Sequence, residues 1–353
     1  MFGPEPLFPQ LSLAAALRDL KARSPRARAN AIRALPDALA ADCRGPEETE
    51  APAVSQLGFA RLEAHAQHSA ALTGLRALDG DADGFVRGLA MIARGRLADV
   101  TLLGEYRRGT LAPRPQDPAK QWIKESAILG LGELAAFAPP PPGVEHDDIL
   151  RALLEALDDP APEVRFQAIA VVADAAPSMA GELLPPRLAL ETEAEVRAQI
   201  YATFLDRGDP PGVVVAAARA ATGAGRDGDH ESSAASERES FAAARLLASL
   251  RIADAAQRLL RGMSDGDERD DAIEAMAALE PSDIPEAATD LAERLTRRWL
   301  VPPVTRVRAA YLLARVRPDE GGALLDRMAR SARASVRDAV VDARAALHTL
   351  SQR

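Results

Sequence analysis

The chain has 353 residues, a formal charge of −9, and 47% hydrophobic but only 4% aromatic residues, so any large core is filled mainly by alanine and leucine. Its one cysteine, Cys43, excludes an internal disulfide framework and a multi-cysteine zinc site, and no run of about twenty apolar residues offers a membrane span. Charge is uneven: residues 1–44 carry +3, residues 45–290 carry −19, and residues 291–353 carry thirteen basic against six acidic groups, or +7.

Residues 1–10 hold three prolines, no basic residue and no long apolar run. They read as an N-terminal tail rather than a signal peptide, and with the single thiol they suggest a cytoplasmic protein. Runs of β-branched and aromatic residues are scarce, so the chain reads as almost all helix from Leu11 onward. A basic residue followed three or four positions later by an apolar pair recurs at Arg28, Arg87, Lys124, Arg165, Arg197, Arg238, Arg269, Arg308 and Arg337. After a first step of 59 residues, the steps between them lie between 29 and 41 residues, the period of a helix-turn-helix solenoid. Two interruptions stand out as loops: an acidic, proline-bearing stretch at 45–54, and a Gly/Ser/Asp-rich insertion at 222–236 between the helices of one hairpin.

The clearest unit is Ile149–Ala175. Leu150, Leu153, Leu154 and Leu157 form the apolar stripe of a first helix, and Asp158-Asp159-Pro160-Ala161-Pro162 breaks it. A second helix then places Val164, Ala168, Val171 and Ala175 on its inner face. Such a pair cannot bury its stripes alone and needs copies of itself. The terminal copy has Leu324, Leu325 and Met328 on one helix and Val336, Val340, Ala343, Leu347 and Leu350 on the other. Arg333, Arg337, Asp338, Asp342 and Arg344 suit a polar outer cap.

The run Asp159-Pro160-Ala161-Pro162-Glu163-Val164-Arg165-Phe166-Gln167-Ala168, with weaker copies at Glu193–Arg197 and Ser335–Arg337, resembles HEAT-type repeats. The likeness is to the short bacterial form, similar to phycobilisome-lyase HEAT-like repeats. The resemblance implies an all-α, right-handed α-solenoid of about nine hairpins in a single domain over residues 11–353, with the second helices lining a concave face. It says little about activity, because the family spans scaffolds and a few enzymes.

The recurring arginine reads as part of the repeat, pairing near the inter-helix turns, where Asp83, Asp159, Glu193 and Asp206 are available. His65 and His68, with Glu63 nearby, lack a third ligand at motif spacing, and His230-Glu231 is the one His-Glu pair, unlike the several carried by HEAT-like deoxyhypusine hydroxylases. Cys43 has acidic neighbours that raise its pKa, and no nucleophile-elbow or phosphate-loop motif occurs. Tandem carboxylates at Asp147-Asp148, Asp158-Asp159 and Asp270-Asp271 suit helix starts. Trp122 and Trp299 read as packing residues. No catalytic, cofactor-binding or metal-ligating residue is assigned, and no cofactor is expected.

The C-terminal excess of arginine is the departure that invites a partner. Arg294, Arg297, Arg298, Arg306, Arg308 and Arg315 are the candidate protein-binding residues, suited to an acidic partner. The sequence therefore points to a non-catalytic scaffold binding another protein on its concave face or through these basic repeats. The alternative is an accessory or lyase-type enzyme similar to HEAT-like bilin lyases, acting on a prosthetic group of a partner. Third comes weak nucleic-acid binding through the same arginines, which the −19 central stretch disfavours.

Overall fold

A computed structural model of the chain describes residues 11–44, 54–107, 118–223 and 234–351. The expected tail at 1–10, the acidic stretch at 45–53 and the body of the insertion, with His230 and Glu231, lie outside the described residues, as does the Leu350 side chain. Twenty α-helices and no strand are present among the described residues. The chain divides into two compact units, Met1–Glu182 and Leu183–Arg353, each built of helical hairpins.

In the first unit α1 (Leu13–Asp19) pairs with α2 (Pro25–Asp42), and two short helices, α3 (Val54–Leu57) and α4 (Phe59–Glu63), come next. Then α5 (His68–Arg76) pairs with α6 (Gly84–Arg96), α7 (Thr101–Arg107) with α8 (Pro118–Ala135), and α9 (His146–Ala156) with α10 (Pro162–Ala175). The division between the units falls within α11 (Pro177–Leu190), which leads through a short turn into α12 (Ala194–Arg207). In the second unit α13 (Gly212–Gly223) pairs with α14 (Ala234–Ser249), α15 (Ala256–Ser264) with α16 (Arg269–Ala278), α17 (Glu286–Arg297) with α18 (Pro303–Val316), and α19 (Pro318–Met328) with α20 (Ala334–Ser351). Second helices stack on one another: α2, α6, α8 and α10 in the first unit, and α12, α14, α16, α18 and α20 in the second. This is the arrangement of HEAT-like hairpins in an α-solenoid, and all nine recurring basic residues fall on second helices.

The boundaries differ from the reading of sequence alone in two places. Val54 already opens α3, and Val54, Leu57 and Leu62 are buried, so the long first step contains packed helix as well as loop. The insertion is narrower than 222–236, because Thr222 and Gly223 close α13 and Ala234 opens α14. Of the expected stripe of α9, Leu153 and Leu157 are buried, whereas Leu150 and Leu154 are only half-buried. Ile149 and Ala156 are fully buried as well. On α10 burial extends to Ile169 and Val172, because a second helix packs against its own first helix and against neighbouring second helices.

The recurring arginine has a repeated task. Arg28 donates to the carbonyls of Ala22 and Arg23, Arg165 to those of Asp159 and Pro160, Arg269 to those of Met263 and Ser264, and Arg337 to those of Ser331 and Ala332. Arg87 and Arg197 reach the carbonyls of Asp81 and Glu191 in the same way. Each thus spans six, and in four cases also five, positions back to the turn before its own helix, satisfying carbonyls of that turn or, for Arg269, the last two of α15. The residue six positions back often caps the same turn with its side chain. Asp81, Asp159 and Glu191 accept from the amides of Asp83, Ala161 and Glu193, and the Ser331 hydroxyl accepts from that of Arg333. Asp81 and Asp159 also hold the preceding repeat's basic residue, Arg28 at 2.7 Å and Lys124 respectively. Of the four carboxylates expected as partners, Asp159 serves; Asp83 instead caps α6 through the amides of Phe85 and Val86. The residues that take the other places are Asp81, Glu191 and Glu239, the last bound by Arg197 at 2.6 and 2.8 Å.

Glycine brings α6 and α8 together. A Cβ on Gly95 would stand 2.0 Å from the Gly130 carbonyl oxygen, and one on Gly130 would stand 2.6 Å from that of Met91, so backbone meets backbone at this crossing. In the terminal hairpin Val307, Ala310, Ala314, Leu325, Val336 and Val340 form a buried cluster. Arg333, Arg337, Asp342 and Arg344 remain exposed and Asp338 half-exposed on its outer side.

Candidate protein-binding surface

The six C-terminal arginines separate according to what neutralises them. Arg308 pairs with Asp270 and Glu274 on α16. Burial works against its charge, and the two carboxylates outweigh that, holding its pKa above the ordinary value. Arg315 donates from Nε and Nη2 to the Ala277 and Leu279 carbonyls, each at 3.0 Å, at the negative end of α16. Arg297 is exposed and pairs along its own helix with Glu293. Arg308 and Arg315 are therefore committed inside the protein. Among the described residues Arg294, Arg298 and Arg306 meet no carboxylate, and the Arg306 Nε is shut off from solvent without an acceptor.

The turn that carries Arg298 is shaped by a proline pair. Pro302 and Pro303 have no amide hydrogen to offer, and Pro303 occupies the first position of α18, where that loss costs nothing. The Val301 amide donates to the Arg298 carbonyl and Val301 turns inward, which leaves Trp299 and Leu300 82% and 76% exposed. Trp299 is thus not a packing residue, in contrast to the expectation from sequence. The signal that could have found it is the run Trp-Leu-Val-Pro-Pro, in which two prolines end any helix before it can bury both large side chains. Trp299 and Leu300 wall a recess of about 400 Å³ with Val301, Pro302, Pro303 and Arg306 on one side. Met328, Ser331, Arg333 and Val336 close the other.

The remaining candidates resolve into structural roles. His68 is buried and donates Nε2–H to the Leu97 carbonyl at 2.8 Å, whereas His65 lies 3.1 Å from Asp42, so the two rings are engaged separately. No group of three potential metal ligands occurs among the described residues. The Cys43 thiol is pushed up chiefly by burial, with nearby Arg61 acting against the rise and Asp42 adding to it. Trp122 stacks on Phe85, their ring centroids 5.9 Å apart at 17°, and the Arg33 guanidinium covers the Phe85 ring at 5.3 Å. A cluster that the sequence did not suggest surrounds Arg94, which is wholly buried in α6. Its guanidinium meets Asp99 at 2.7 Å, Asp79 at 3.0 Å and Glu105 at 2.7 Å, while Arg76 grips Asp99 at 2.6 and 2.9 Å. Burial would raise the Asp99 pKa, yet hydrogen bonds from Arg76, Thr101 and Arg94 hold it far below the usual carboxylate range.

The class that the fold defines is the α-solenoid, built of stacked helical hairpins. No family model matches the chain, and no curated protein matches it in sequence. Among solved structures it is similar to Kap121p bound to Pho4p, at 12% identity over 93% of this chain and 40% of that one, with a TM-score of 0.42. A Kap121p mutant aligns at 13% identity over 94% of this chain and 36% of that one, with a TM-score of 0.47. Kap121p bound to RanGTP aligns at 12% over 93% and 39%, with a TM-score of 0.42. The chain spans less than half the length of these chains. No helix among the described residues is long and apolar enough to cross a membrane.

Proposed function

We propose that the chain is a non-catalytic scaffold that holds a partner protein at the recess between the α17–α18 and α19–α20 turns. One observation carries this reading. Trp299 and Leu300 are adjacent, large, apolar and exposed, and among the described residues Arg298, Arg306 and Arg333 near them meet no carboxylate. Tryptophan and arginine in such a setting are the residue types that dominate protein-binding energy. The ladder arginines, by contrast, are occupied by turn carbonyls and neighbouring carboxylates, so the concentration of charge in the repeats is not itself a binding surface.

A photo-crosslinking amino acid placed at Leu300 of the full chain, in the cells that make it, tests the reading. Discrete protein adducts that excess unlabelled chain competes away are expected, and they should be absent when the same probe replaces exposed Val341. Equal labelling from both positions, or no protein adduct at Leu300, overturns the assignment.

A further inference from the structure

The chemistry of the recess narrows the kind of partner. Its apolar walls are Trp299, Leu300, Met328 and Val336, its cations are Arg306 and Arg333, and none of its lining residues is a carboxylate. In a chain with 52 acidic and 43 basic residues, a cationic recess lined by no carboxylate is a departure. Elsewhere in the same unit arginines sit on carboxylates: Arg197 on Glu239, Arg238 on Glu195, Arg258 on Glu268 and Arg308 on Asp270. Arg306 differs in that its Nε is buried without an acceptor, and Arg298 and Arg294 stand exposed beside it on the chain without one. At about 400 Å³ the recess lies at the low end of the range that binds compact ligands.

We propose that this recess receives a linear acidic segment of a partner protein. One large apolar side chain of the segment seats against Trp299 and Met328, and flanking carboxylates meet Arg306, Arg333 and Arg298. The pairing rests on complementarity: the apolar walls exclude water around the anchor, and the planar guanidinium groups match carboxylates in bidentate geometry. A linear segment is preferred to an anionic membrane because the recess offers two walls, Trp299 and Leu300 on one side and Met328 and Val336 on the other, between which a single side chain can seat. The assignment rests on the scaffold reading above and adds the chemistry of the partner to it.

The test uses the purified full chain and a fluorescein-labelled peptide of glutamates around a central phenylalanine. The comparators are the same peptide with serine at the centre, and vesicles containing phosphatidylserine. Micromolar binding of the phenylalanine peptide is expected, falling by about tenfold or more in Trp299→Ala and in Arg333→Glu. Both residues are exposed, so the far-UV circular dichroism should not change. Arg26→Glu, an equal charge change at an exposed site in the first unit, should leave binding within about twofold. Equal binding of the serine peptide, wild-type binding by either recess variant, Trp299-dependent uptake onto vesicles, or no peptide binding at low salt would each overturn the proposal. If the Leu300 probe captures a protein while the peptide does not bind, the acidic chemistry falls and the scaffold reading stands; if both fail, both fall.

Discussion

At the scale of single residues, the buried charge cluster of α6 is the most consequential feature outside the recess. Arg94 balances Asp99, Asp79 and Glu105 where none of them can recover full hydration, so removing it leaves carboxylates stranded. Arg94→Met should cost about 3–5 kcal/mol in urea unfolding, and adding Asp99→Asn should recover part of that, since an amide oxygen in the Oδ1 position still accepts from Arg76 Nη2 and the Thr101 amide. The same cluster governs acid behaviour. Asp99 is held below its unfolded value, so its contribution is present above about pH 4 and is lost as the pH falls below that. Burial raises Asp79 and Glu133, which acts in the opposite sense and partly offsets the loss. Asp99→Asn should therefore flatten the acid limb of the stability profile, measured by denaturant midpoints from pH 5 downward.

Buried tyrosines contribute to alkaline behaviour in the same sense as the raised Cys43 thiol. Burial, with Glu239 nearby, pushes Tyr201 up to about 12 from an ordinary 10. The folded protein then binds more protons than the unfolded chain across that interval, so stability should fall as pH rises through it. Tyr201→Phe should remove part of the decline. Nothing in the sequence marks these residues. A mid-helix arginine looks like a solvated side chain until a neighbouring turn places Asp99 beneath it, and that proximity is tertiary. The ladder arginines are legible because their partners lie five or six positions away in the same chain segment.

At the scale of elements, close helix crossings depend on which glycine faces the neighbour, and α19 offers a paired comparison. A Cβ on Gly321 would lie 2.1 Å from the backbone nitrogen of Ala314 in α18, whereas Gly322 has open space around it. Gly321→Ala should destabilise by about 1–3 kcal/mol through forced separation of α18 and α19, while Gly322→Ala should stabilise by about 0.5–1 kcal/mol through helix propensity and reduced unfolded-state freedom. Thermal unfolding of the two variants checks both signs. Helix number and order are readable from the period of the repeat, and all nine ladder residues lie on second helices as that period implies. On α9 the sequence finds Leu153 and Leu157 but not Ile149, because Leu150 and Leu154 look as apolar as Ile149, and only the neighbouring helices decide which of them turn inward. Trp299 misleads for a related reason: hydrophobicity alone cannot report that the ring falls in the turn between the end of α17 at Arg297 and the proline start of α18.

At the scale of the whole molecule, the two tryptophans lie in different compact units, Trp122 in the first and Trp299 in the second. Trp299 is largely hydrated already, so its emission should change little on unfolding, and Trp122 becomes the optical reporter of its own unit. Circular dichroism sums helix from both. Arg94→Met should accordingly move the fluorescence transition to lower urea by more than it moves the dichroism transition, the signature of local rather than all-or-none unfolding in a repeat array. Coincident shifts would show one cooperative block.

The turn staple has a consequence for how such a chain can grow. The arginine, the carbonyls it satisfies and the side chain that caps the bend all lie within seven consecutive residues. A hairpin copied by gene duplication therefore arrives with its corner already encoded. What has to be fitted anew is the junction with an adjacent copy: the packing of second helix on second helix and the outward reach, as from Lys124 to Asp159. Lengthening the array is then a matter of adjusting junctions rather than corners, and diversification is free to concentrate where the corner code is absent, as it is around Trp299.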